Sequence, residues 1–293
     1  MSPIATQIQA PPGPFVDADW LEAHLDHPGL RILDVRGRHF SSPKPHVKRA
    51  EYETAHIPGA VMADWEHDLV DPDDPVPYQV ATPHDVALHA ERLGVGDGDL
   101  VVTYDDYYGI FAARVAWAFR LYGCEARVLD GGWPTWSEEG RTVTSETPER
   151  SSAPFTPRLR PELRLSLGEL EAARARGATV IDARPRHLYL GEPGAPGTGH
   201  IPGALCVPYP ELVDGSNGIV ATPPAIRRLL RGAGLDPDRP PAEVVVSCGS
   251  GVSATLLLAA LESADIHGAG VYDGSFNEWS ADPTRPIAYG TGR

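Results

Sequence analysis

Short apolar runs recur along this chain, each closing on a charged, hydroxyl or thiol side chain. Residues 32–36 read ILDVR, 101–105 VVTYD, 180–184 VIDAR and 244–248 VVVSC. Apolar runs of this length without polar alternation fit strands of a parallel sheet that is covered on both faces. Helical stretches lie between them. Residues 167–176 follow Ser166, with Glu169 at the spacing of a capping box, and TLLLAALE at 255–262 is apolar enough for a buried helix. Strands alternating with helices at this spacing predict an α/β fold built on parallel sheets with helices on both faces.

The pattern occurs twice. ILDVR at 32–36 returns as VIDAR at 180–184, and HIPGA stands at both 56–60 and 200–204. VVTYD at 101–105 returns as VVVSC at 244–248, and LDGGWPTW at 129–136 as YDGSFNEW at 272–279. Four matches in the same order at nearly constant separation mean a duplicated domain. Between the copies, residues 137–164 hold Pro148, Pro154, Pro157 and Pro161 among polar residues without sustained apolar periodicity, which reads as a linker.

The 293 residues suit two domains of ordinary size, and a hydrophobic content of 42% suits a globular chain. Set against 25 basic residues, 40 acidic ones give a formal charge of −15, which argues against nucleic acid and anionic membrane as partners. No apolar stretch is long enough for a membrane helix, and the first fifteen residues lack the basic-then-apolar pattern of a secretory leader, so a cytoplasmic location is expected. The three cysteines, Cys124, Cys206 and Cys248, form no Cys-x-x-Cys pair, so free thiols are expected in place of a disulfide framework or a zinc site.

One cysteine stands apart. Cys248 sits between a valine strand and a helix start, followed by Gly249, Ser250, Gly251, Val252 and Ser253. Small side chains there let backbone N–H groups converge on one point, and such a nest at a helix N-terminus favours a thiolate and stabilises an anionic adduct on its sulfur. Cys124 and Cys206 have no such loop and read as small buried apolar residues. In the first copy Asp105 takes the cysteine position, followed by Asp106, Tyr107 and Tyr108, bulky residues expected not to form the same cradle. Only the second copy is expected to be catalytic. A cysteine cradle serves phosphoryl or sulfur transfer, but a phosphatase loop needs an arginine six positions after the nucleophile, where Ala254 stands.

With both HIPGA segments, the DGG and DGS loops with Trp136 and Trp279, and Arg114 in AARVAW, the chain resembles the two-domain rhodanese-type sulfurtransferases over roughly 16–287. The resemblance implies tandem rhodanese-like domains: 1–140 without the catalytic cysteine, a linker at 141–164, and a catalytic domain at 165–293. CGSGVSA resembles the loop of the 3-mercaptopyruvate type more than that of the thiosulfate type. It implies that the Cys248 thiolate takes a sulfane sulfur from a small anionic donor, 3-mercaptopyruvate or else thiosulfate, and passes it to cyanide, a thiol or a thioredoxin-like acceptor. This covalent chemistry needs no metal or organic cofactor.

Where the resemblance expects donor-binding arginines, this chain has Leu188 at one position and no counterpart at the other. Arg184, Arg186 and His187 are the nearby basic candidates, with Glu66 and His67 as candidates from the first domain. A reading from another class also fits the lost arginines: a persulfide carrier or regulatory module fed by a partner, without turnover of a small donor.

Overall fold

The computed structural model describes residues 8–37, 48–149, 153–214 and 218–291; the chain start and linker residues 150–152 of the expectations above lie outside them. The chain divides into two compact units. One comprises residues 1–71, 81–160 and 215–219, the other 72–80, 161–214 and 220–293. The segment 72–80, although early in sequence, therefore counts with the second unit.

The first unit holds β1 (Phe15–Val16), β2 (Leu30–Asp34), β3 (Ala60–Met62), β4 (Leu100–Tyr104) and β5 (Glu125–Leu129), in the parallel order β1-β5-β4-β2-β3. Helices α1 (Ala18–Ala23), α2 (Arg49–Thr54), α3 (Pro83–Arg92), α4 (Ile110–Leu121) and α5 (Gly132–Glu138) follow the strands. Every residue of β4 is buried, as a central strand covered on both faces requires.

The second unit repeats this plan. β6 (Arg164–Leu165), β7 (Thr179–Asp182), β8 (Leu205–Cys206), β11 (Val244–Ser247) and β12 (Ala269–Tyr272) run in the parallel order β6-β12-β11-β7-β8; β9 (Val213–Asp214) and β10 (Ile219–Val220) lie outside that sheet. Its helices are α6 (Leu167–Ala175), α7 (Arg186–Leu190), α8 (Pro223–Ala233), α9 (Val252–Ser263) and α10 (Ser275–Ala281). The box read at Ser166 is formed from both sides: the Ser166 hydroxyl accepts the Glu169 N–H, and the Glu169 carboxylate accepts the Ser166 N–H.

The copies share internal struts. Asp34 and Asp182 end equivalent strands and hold the buried guanidiniums of Arg36 and Arg184, each at 2.6 Å. Those guanidiniums also reach loop carbonyls, Ala55 in one unit and Gly197 and Gly199 in the other. His56 and His200, which open the HIPGA segments, bond through Nδ1 to the carbonyls of Tyr52 and Tyr189 and stack on their rings. Buried charge survives because its hydrogen bonds are filled, and these clamps fix the loops after β2 and β7.

One exchange between the copies conserves volume. One position beyond the Thr103–Val128 pair, the first unit carries Tyr104 and Leu129; one beyond Val246–Val271, the second carries Ser247 and Tyr272. The large ring moves to the neighbouring strand, so each core stays filled while the strand leading into Cys248 ends on a small residue.

Candidate active site

Cys248 leaves the end of the fully buried β11, and α9 begins four residues later. Gly251 makes the turn into α9 with φ +77°, a left-handed conformation that favours glycine. Cys248 is 2% exposed, Ser250 and Ser253 are buried, and Gly249 is half-buried. The first ten residues of α9 are buried too, so its N-terminal end is held against the loop by a continuous core.

The DGS loop before α10 clamps Cys248. Ser275 Oγ accepts the Cys248 N–H at 3.0 Å, donates to the Tyr272 carbonyl at 2.8 Å, and lies 4.0 Å from Sγ. The Phe276 and Asn277 N–H groups donate to the Cys248 and Gly249 carbonyls, both at 2.9 Å. The peptide groups on both sides of the thiol are thereby fixed.

Ser275 escaped the reading of the sequence, although a signal was there. Its counterpart is Gly132, and both have φ +52°. A Cβ on Gly132 would collide with the Asp105 carbonyl, so the first unit needs glycine there. The second unit keeps a fully buried serine in that strained conformation. A side chain retained where glycine is favoured marks a site whose hydroxyl is needed.

The first unit corrects an expectation. Its loop does form a cradle: the N–H groups of Tyr107 and Gly109 donate to one Asp105 carboxylate oxygen, and those of Phe111 and Ala112 to the other, at 2.8–2.9 Å. Bulky side chains do not prevent the nest, because only the backbone builds it; Asp105 fills it with its own carboxylate. Burial pushes that carboxyl group up to about 7, against the pull of the four donors.

The basic candidates divide. Arg184 is 4% exposed, with its donors directed to Asp182, Gly197 and Gly199 and its guanidinium 3.9 Å over the Phe276 ring. That placement removes it as a free donor-binding cation and makes it a strut beside the loop. Arg186 and His187 are exposed at the start of α7; Arg186 pairs with Glu211 at 3.2 Å and lines a cavity of ≈ 730 Å³ together with Tyr189 and Cys206. Leu188, at the position where the resemblance expects an arginine, is half-buried, and its carbonyl accepts the Gly199 N–H.

In the first unit, the Glu66 N–H donates to Asp64, and His67, with a side chain 78% exposed, bonds to Asp64 at 3.0 Å. Both belong to a surface turn organised by Asp64. The other thiols differ from Cys248 in setting. Burial, then Asp99, Glu125 and Asp97, push Cys124 up to about 12, and burial pushes Cys206 up to about 11. Among the described residues no group of three or more His, Cys, Asp or Glu side chains is placed to hold a metal ion.

The Rhodanese-like domain family matches twice, at residues 17–139 and 166–282. The chain is 34% identical over 281 residues to 3-mercaptopyruvate sulfurtransferase of Escherichia coli (strain K12), covering 93% of this chain and 97% of that protein. It is 31% identical over 293 residues to thiosulfate sulfurtransferase of Rattus norvegicus, covering 94% and 95%. Among solved structures it is similar to SseA from Escherichia coli, with a TM-score of 0.80 and 32% identity over 90% of this chain and 99% of that one.

Proposed function

We propose, because this chain belongs to the rhodanese family and is a sulfurtransferase, that Cys248 carries the sulfur and that 3-mercaptopyruvate donates it. The observation that carries this reading is the buried thiol at the head of α9, with its own N–H and carbonyl both held by the 275–277 loop. Cys248 is the catalytic residue; Gly249, Ser250, Gly251, Val252 and Ser253 form the cradle for the persulfide.

The Cys248 thiolate attacks the sulfur of the donor. A sulfur–sulfur bond forms, the carbon–sulfur bond breaks, and its electron pair leaves on carbon as the enolate of pyruvate, which takes a proton. A thiol or cyanide then attacks the outer sulfur, and the electron pair of the breaking bond returns to Cys248 as thiolate. Backbone donors at a helix start favour the anionic sulfur in both steps. Arg186 and His187 are the exposed basic groups of the second unit that we assign to draw in the donor, with Glu66 and His67 as first-unit candidates. Domain limits of 1–140 and 165–293 around a linker, and a cytoplasmic location with small-molecule or thioredoxin-like acceptors, complete the proposal. No helix among the described residues is long and apolar enough to cross a membrane.

Thiosulfate is the second reading, favoured by Leu188 where a donor-binding arginine is expected. Intact mass after brief exposure to each donor tests both. One added sulfur on the wild type and none on Cys248→Ser is expected, formed faster from 3-mercaptopyruvate. Faster loading from thiosulfate would transfer the assignment to the second reading, and no loading from either would leave a carrier fed by a partner protein.

A further inference from the structure

Recognition of an anionic donor is under-supplied in the second unit. Arg184 is committed to Asp182 and two carbonyls, Leu188 is uncharged, and Arg186 faces Glu211. Another polar group of the same unit is unspent. Gln79 is 4% exposed, yet its amide Nε2 has no hydrogen-bond partner among the described residues. Buried side-chain amides are normally satisfied, and one left with two free N–H groups is destabilising unless something else meets it.

The position of Gln79 in the chain connects it to the nucleophile. It lies in segment 72–80, which counts with the second unit, and follows Tyr78, held at φ +66°. The next residue, Val80, donates its N–H to the buried carboxylate of Asp273 at 3.1 Å, and Arg164 donates to the same oxygen at 2.9 Å. Asp273 opens the loop whose Ser275 holds the Cys248 N–H. The segment is thus pinned to the loop that clamps the thiol, and the residue beside the pin carries the unpaired amide.

Resting on the sulfurtransferase reading above, we propose that the Gln79 amide binds the anionic end of the sulfur donor, as a residue that determines donor affinity. An amide suits this role physically. It donates two N–H groups to a carboxylate or a sulfonate-like group while carrying no charge, so it can remain buried where an unpaired cation could not.

The test compares wild type with Gln79→Leu, which keeps the bulk and removes the donors, Gln79→Met as a second apolar variant, and Gln79→Glu. For each, persulfide formation is followed by intact mass over a range of 3-mercaptopyruvate and thiosulfate concentrations, and discharge of preloaded enzyme by 2-mercaptoethanol is measured separately. Folding is checked by circular dichroism. The expected result is a loss of at least about tenfold in loading efficiency for Leu and Met, carried by a higher KM, and a larger loss for Glu, whose charge repels the donor. Discharge by the neutral thiol is expected to stay within about twofold of wild type. Folded Leu and Met variants that load as efficiently as wild type would overturn the Gln79 assignment and leave the sulfurtransferase reading intact. Failure of the wild type itself to load from either donor would overturn that reading instead.

Discussion

The Ser275 hydroxyl gives a prediction in which stability and rate separate. Ser275→Ala removes one oxygen that accepts the Cys248 N–H and donates to the Tyr272 carbonyl. The site is fully buried, so the N–H is left without water, at about 1–3 kcal/mol; the carbonyl adds less, and about 2–3 kcal/mol in total is expected. Alanine keeps the left-handed strain at φ +52°, whereas glycine relieves it by about 1 kcal/mol. Ser275→Gly should therefore be about 1 kcal/mol more stable than Ser275→Ala while lacking the same hydroxyl. Both variants should load persulfide about ten- to a hundredfold more slowly, because the peptide carrying the thiol is no longer fixed. Urea unfolding followed by circular dichroism gives the stabilities, and intact mass against time gives the loading rates. The reasoning is refuted if the alanine variant is as stable as wild type, if glycine is no more stable than alanine, or if glycine restores the rate.

Other expectations follow from the same geometry. Asp105→Asn turns an NH₂ group toward two of the four N–H donors and should destabilise the first unit by about 2–4 kcal/mol at pH 8, read by urea titration. Burial raises the Asp105 carboxyl above its unfolded value, so its contribution is fully present below that value and is lost as pH rises through about 7. The wild-type advantage over Asp105→Asn should accordingly shrink by about 1 kcal/mol between pH 6 and pH 8, and an advantage that grows over that range would contradict the assignment. At pH 8, with Cys206 pushed up to about 11 and Cys124 to about 12, only about one in a thousand or fewer of those thiols is ionised. A small alkylating reagent should then modify one site per chain first, and that fast phase should vanish in Cys248→Ser. A fast phase that persists would place the reactive thiol elsewhere. Arg184→Leu leaves Asp182 buried without its counter-charge and should cost about 3–5 kcal/mol in stability; a folded variant altered only in donor KM would restore Arg184 as a donor-binding residue.

Much of the fold was legible because local physics and global architecture agree. Valine-rich runs buried on both faces have no other stable use, and duplication repeats each signal, so the strands around ILDVR, VIDAR, VVTYD and VVVSC emerge directly from the sequence. The setting of Cys248 was legible for the same reason, since a strand, small residues and a helix start are local features. The cradle of the first unit was misjudged because side-chain bulk says little about where backbone N–H groups point. Arg184 stayed one of several basic candidates because a guanidinium can turn outward or inward, and only the Asp182 carboxylate with the surrounding carbonyls settles which.

The sequence by itself determined the two α/β units, their repeat and the placement of Cys248 between a strand and a helix start, all of which depend on residue type and spacing along one stretch of chain. Only the tertiary structure decided that Asp105 fills its own nest, that Arg184 is a strut, that Ser275 holds the cysteine and that segment 72–80 counts with the second unit. Ser275 and Val80 bond residues far away in sequence, and the inward turns of Asp105 and Arg184 depend on burial. Hydrogen bonds in a buried site are fixed by three-dimensional proximity and the exclusion of water, neither of which is written in the order of the residues.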